Sequence, residues 1–184
     1  MKKHNLAFID TETTGLDFDK HELIEIGIVL AKQSWDGDDI KLEVLEEVEI
    51  KIKPERIQDA DPQSLRINGY NEADWLFAHD LETAMKIFVD KTKDAIMVTH
   101  NLSFDAAFID KAFKKTGITS LMHYPRIDSI SVAFAKLHHK DDLRYSLRSL
   151  CEHYGINNKK AHTALSDARV LAELYEKIIN EKKQ

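Results

Sequence analysis

With a single cysteine, Cys151, the chain can form neither an internal disulfide framework nor a cysteine-rich zinc site. Basic residues are the minority: 26 Lys and Arg stand against 32 Asp and Glu, a formal net charge of −6. That balance argues against a protein that coats long duplex DNA through its phosphates, which calls for a basic surface. It leaves room for an enzyme that meets phosphate through bound divalent metals, because the ions then bring the positive charge. No apolar run approaches the length of a bilayer span, so no membrane partner is expected. The start, Met1-Lys2-Lys3-His4-Asn5, leads into a short apolar stretch that meets Asp10. It is too short and too acidic at its end for a secretory signal, and a cytoplasmic protein is expected. Repeats, low-complexity tracts and linker-like stretches are also missing, so residues 1–184 read as one domain.

What is present is ordinary globular material, 43% hydrophobic and 32% charged, enough for a full core. Leu6–Ile9 is a short continuous apolar run, as in a strand buried on both faces. Leu23–Leu30 is a second, rich in Ile and Val. The turn Thr13-Thr14-Gly15-Leu16-Asp17 between them predicts an antiparallel pair. After a second turn at residues 35–39, Leu42–Ile52 alternates as a third strand on the sheet edge, ended by Pro54. The period then changes: Leu81, Ala84, Met85, Phe88 and Val89 share one helix face. Ala95–Thr99 predicts a strand, Phe104–Lys115 a helix ended by Gly117, and Arg126–Ile130 a short strand running into a helix near residues 131–137. Ser146–Tyr154 is a helix stopped by Gly155, and Ala164 to Ile179 a long final one. Three strands followed by alternating helix and strand predict an α/β domain with a mixed sheet.

The chemistry concentrates in acids. Asp10 and Glu12 are two apart on a strand, so both carboxylates project to one face. Carboxylates that close raise each other's pKa unless a cation lies between them, and Mg²⁺ or Mn²⁺ suits oxygen ligands. Two solvated acids in a turn are the plain alternative. Asp105 follows the 96–99 strand and falls in the first turn of the next helix, with Phe108, Ile109 and Ala112 on its side. An acid there is also favoured by the helix dipole alone. Asp167 has Ala164 and Leu171 on its face, which aims a fourth carboxylate toward packed structure, costly unless compensated. His162, five residues earlier and out of phase, belongs to the preceding loop or first turn. Beside a metal cluster such a histidine suits proton transfer; alone it reads as a surface residue.

The set Phe8-Ile9-Asp10-Thr11-Glu12-Thr13-Thr14-Gly15, His100-Asn101-x-x-Phe104-Asp105 and His162-x-x-x-x-Asp167 resembles the three motifs of the DEDDh exonucleases. That family includes the proofreading epsilon subunit of bacterial DNA polymerase III, ribonuclease T and the oligoribonucleases. Histidine five before Asp167 separates the chain from the tyrosine variant. The resemblance implies a ribonuclease H-like fold with a mixed five-stranded sheet flanked by helices. It implies two divalent ions, Mg²⁺ or Mn²⁺, held by Asp10, Glu12, Asp105 and Asp167. It further implies His162 as general base, and 5′-mononucleotides released from the 3′ ends of single-stranded DNA or RNA.

Substrate contacts implied by the resemblance are the Thr13-Thr14-Gly15-Leu16 turn, Asn68, Tyr70, Asn101 and Phe104. Tyr70 is placed either on a base or against its own loop; Asn101 either on the sugar or capping local backbone; Phe104 either beside a base or in the core. Lys111, Lys114 and Lys115 read as an exposed helix face, His138-His139 as a solvated loop, and Lys159-Lys160 as phosphate contacts. An RNA-specific exoribonuclease of the ribonuclease T and oligoribonuclease type is one alternative, since the 2′-hydroxyl contact cannot be read from the chain. A non-catalytic binding module is another, and it predicts loss of at least one acid or of the histidine, whereas all five are present. The chain closes soon after Asp167, which leaves little for a polymerase-binding tail; a polymerase partner and a homodimer both stay open.

Overall fold

The computed structural model describes residues 3–157 and 163–182. Its centre is a mixed five-stranded sheet in the order β3-β2-β1-β4-β5. β1 (Leu6–Thr13), β2 (Leu23–Asp36) and β3 (Asp39–Lys51) run antiparallel in succession, and β4 (Ile96–Thr99) and β5 (His123–Asp128) add in parallel. Around it lie α1 (Pro62–Ile67), α2 (Leu81–Thr92), α3 (Leu102–Thr116), α4 (Ser129–Leu137), α5 (Leu147–Tyr154) and α6 (Ala164–Ile179). Among the described residues no helix is long and apolar enough to cross a membrane.

Period-two alternation in β1 divides the core. Ala7 and Ile9 face α2 and α3, with Met85, Phe88, Phe108 and Ile109. Leu6 and Phe8 face α6, with Ala168, Leu171 and Tyr175. The even face of β1 then continues past the apolar run into Asp10 and Glu12. The sequence ended this strand at Ile9 because its apolar signal stops there, but backbone pairing with β2 carries it to Thr13. The other departures are local. Residues 35 and 36 still pair with β3, so the second turn shrinks to the segment around Gly37. β5 begins at His123, and residues 129–130 already belong to α4, whose N-cap is Asp128. α1 was not foreseen: six residues give too little periodicity, although its start carries Asp61 as N-cap and Pro62 at the first position.

One close approach fixes where α6 begins. A Cβ on Gly27 would lie 2.1 Å from the carbonyl carbon of Ala164 and 2.3 Å from the nitrogen of Leu165. Backbone on backbone cannot yield, so only glycine admits the helix here. Gly27→Ala should therefore lower unfolding stability by roughly 2–3 kcal/mol or more, as overpacking does. A urea midpoint unchanged from the parent would show that α6 is not seated on β2.

Candidate active site

Asp10 and Glu12 stand on the α6 side of β1, and their register partners on β2 are Gly27 and Glu25. The bare glycine lets the start of α6 descend onto the strand, which brings Asp167 to the two β1 acids. Carboxylate oxygens of Asp10, Glu12 and Asp167 all lie within 4.8 Å of one another, each group half-buried. Asp105 arrives from the other face. Asn101 takes a left-handed conformation at φ 74° to turn the chain from β4 into α3. Asp128 Oδ1 accepts from the backbone N–H groups of Asn101 and Leu102 at 3.2 and 3.3 Å, tying that turn to the end of β5. Asp105 is 2% exposed. Its carboxylate accepts the hydroxyl of Thr11 at 2.7 Å, and Thr11 points to this face because it lies between Asp10 and Glu12. β1 thus supplies two acids on one side and an orienting hydroxyl on the other.

The electrostatics are those of a crowded anionic site. Burial pushes Asp10 well above the usual carboxylate range, helped by Asp105, Glu12, Asp167 and Glu25. Burial, then Glu25, pushes Glu12 up to about 8. Asp105 is pushed up to about 7 by burial, against the Thr11 hydroxyl that favours its charged form. A cation between these groups removes the repulsion, and an all-carboxylate donor set matches a hard divalent ion such as Mg²⁺ or Mn²⁺. The residues fit a metal.

A sign follows for stability. With pKa values raised above the unfolded range, the folded protein keeps protons that the unfolded chain releases above about pH 4. Without metal, stability should fall as pH rises from about 4 through 8. Saturating Mn²⁺ should restore it, raising the melting temperature by about 5 °C or more at pH 8 and by much less at pH 5. Equal melting temperatures with Mn²⁺ and with chelator at pH 8 would contradict the metal site.

His162 lies outside the described residues, as do Lys159 and Lys160. Thr13 donates to the carbonyl of Gly15 at 2.8 Å, and Thr14 Oγ1 accepts the N–H of Glu22 at 2.9 Å, so both shape the turn. Leu16 stands 77% exposed beyond it. Asn68 is buried, donating to the carbonyl of Thr13 at 3.0 Å and accepting the Tyr70 N–H at 3.1 Å, which fastens the segment after α1 to the end of β1. Tyr70 is half-buried with its ring 5.0 Å from that of Trp75. The Asn101 side chain accepts from Ser103 at 2.9 Å, and Phe104 packs on Phe108 with ring centroids 5.1 Å apart. Lys111 is not part of a free basic face: its ammonium donates to the carbonyls of Phe18, Asp19 and His21, closing the turn after β1.

Three participants escaped the sequence reading. Thr11 could have been found as the hydroxyl between two acids on a strand. Glu25 is an acid inside an Ile-rich run, Leu23-Ile24-Glu25-Ile26, where a charge has no place without a partner. Asp128 gave no signal, since its part is to join two helix starts that are distant in sequence.

The model of a family described as Exonuclease, of the ribonuclease T type, matches residues 7–175. The epsilon subunit of DNA polymerase III from Escherichia coli is 32% identical over 178 residues, covering 91% of this chain and 68% of its own. A ribonuclease T from Shewanella denitrificans is 30% identical over 187 residues, covering 94% and 79%. A crystal structure of E. coli exonuclease I in complex with a dT13 oligonucleotide superposes with a TM-score of 0.78 at 14% identity. That match covers 97% of this chain but 42% of the exonuclease I chain, and at such identity it bears on the fold.

Proposed function

On the premise that the chain belongs to the exonuclease family of the ribonuclease T type, we propose that it removes nucleotides one at a time from the 3′ end of single-stranded DNA, releasing 5′-mononucleotides. The observation that carries this is the convergence of Asp10, Glu12 and Asp167 within 4.8 Å, with buried Asp105 acting electrostatically on the same group. Residues 1–184 act as one domain, in the cytoplasm.

Asp10, Glu12 and Asp167 would hold one divalent ion, Mg²⁺ or Mn²⁺, and Asp105 with Asp10 would hold a second. Bound there, the ions supply positive charge where negative charge develops on the phosphoryl and leaving oxygens. The chain's own residues do the rest. His162 accepts the proton of the attacking water, a task that suits an imidazole near neutrality. The turn from Thr13 to Leu16, fixed through Thr14 to Glu22 just before β2 and through Asn68 to the α1 segment, presents backbone and the exposed Leu16 to the terminal nucleotide. Tyr70, Asn101 and Phe104 border the same end of the sheet and contact the terminal sugar and base.

DNA is favoured by the likeness to the epsilon subunit; the ribonuclease T relative, covered over 79% of its length, supports a second reading in which RNA is cut. Matched single-stranded DNA and RNA carrying a labelled 3′-terminal nucleotide decide both. Early release of labelled 5′-mononucleotide from DNA is expected. Faster release from RNA selects the second reading, and release only within longer fragments overturns exonucleolytic action.

A further inference from the structure

Glu25 is 2% exposed, stands opposite Glu12 across the β1–β2 pair, and belongs to none of the proposed ligand positions. A buried acid beside other acids needs a reason to be there. Its Oε1 accepts the backbone N–H of Ala164 at 2.8 Å. Ala164 is the first residue of α6, and the first N–H groups of a helix have no partner inside it. Thr163 Oγ1 takes the N–H of Ser166 at 3.2 Å, while Glu25, reaching across from the sheet, takes that of Ala164. Two residues along the strand on the same face, Gly27 lets the same Ala164–Leu165 backbone press against β2. Glu25 and Gly27 thus form a seat for the start of α6, one by attraction and one by lack of bulk. The seated backbone precedes Asp167 by three residues and follows His162 by two.

We propose that Glu25 is a positioning residue for hydrolysis: by clasping Ala164 it sets the start of α6, so that Asp167 meets Asp10 and Glu12. This rests on the function proposed above. The hydrogen bond, and not the charge, is the working feature, which distinguishes Glu25 from the metal-holding acids.

The test compares Glu25→Ala with Glu25→Gln, whose amide oxygen still accepts the Ala164 N–H. For Glu25→Ala, kcat on single-stranded DNA should fall roughly 10- to 100-fold, the scale of a misplacement near 1 Å. KM should stay within about threefold, and amide hydrogen exchange at residues 164–167 should accelerate in metal-free protein. Glu25→Gln should return both kcat and exchange protection to within a few fold of the parent. Should Glu25→Ala fail to fold, Glu25→Asp, which keeps the charge but withdraws the oxygen by one methylene, takes its place in the same comparison. Parental kcat and protection in Glu25→Ala, or Glu25→Gln as impaired as Glu25→Ala, would overturn the proposal. The exchange readout needs no turnover, so an inactive parent would sink the exonuclease reading while the clasp itself remained measurable.

Discussion

Replacement of Asp10 by Asn should lower kcat by at least about a thousandfold while making the metal-free protein more stable. The two effects have one cause. Burial first, and four neighbouring acids behind it, push the Asp10 carboxyl well above the usual carboxylate range. An amide of the same shape removes that repulsion and keeps the packing, so the melting temperature in chelator should rise by a few degrees at pH 8. The same change removes a charged oxygen from the three-carboxylate group and from the proposed second position, where charge-neutralising chemistry depends on it. Mn²⁺ should then give little or no further rise in melting temperature. A site that gains stability by losing its central acid has traded stability for activity. If Asp10→Asn instead lowered stability in chelator, Asp10 would be a structural hydrogen-bond acceptor, and the account of its raised pKa would be wrong.

His162→Ala should give a different pattern: kcat down by roughly two to four orders of magnitude, the range of general acid–base catalysis, with Mn²⁺ affinity within about threefold of the parent. The expectation rests on the DEDDh spacing, which sets His162 five residues before Asp167, and on the ability of an imidazole to take up and release a proton. The acidic limb of the pH–rate profile should disappear along with the rate, because the group whose deprotonation it reports is gone. Loss of metal affinity in step with kcat would make His162 a ligand. Read together, Asp10→Asn and His162→Ala separate holding the metal from moving the proton, and calorimetric Mn²⁺ titration beside steady-state kinetics distinguishes the two.

How far the chain could be read from its residues differs between elements for physical reasons. The central strands and long helices announced themselves through periodicity: α6 runs from Ala164 to Ile179, as its apolar spacing predicts, and Gly117 and Gly155 end α3 and α5. The pairing of Asp10 with Glu12 was readable because strand geometry is local. Asp105 and Asp167 were readable as inward-facing acids, but their arrival from opposite faces of the sheet was not, since that depends on which side each helix packs. β1 outran its apolar signal because backbone pairing does not require apolar side chains. Glu25 and Thr11 stayed hidden because their partners, Ala164 and Asp105, lie more than ninety residues away. Asn68 likewise turned out to fasten one loop to another through the carbonyl of Thr13, a link that sequence proximity cannot suggest.

The central claim, a metal-dependent exonuclease acting from the 3′ end, is tested most directly with a 5′-labelled single-stranded DNA oligonucleotide and purified protein, in Mn²⁺ and in chelator. The account predicts a ladder that shortens progressively from the 3′ end in Mn²⁺, with no shortening in chelator or with Asp10→Asn. Immediate appearance of the shortest labelled product, or cleavage that proceeds unchanged in chelator, would contradict it.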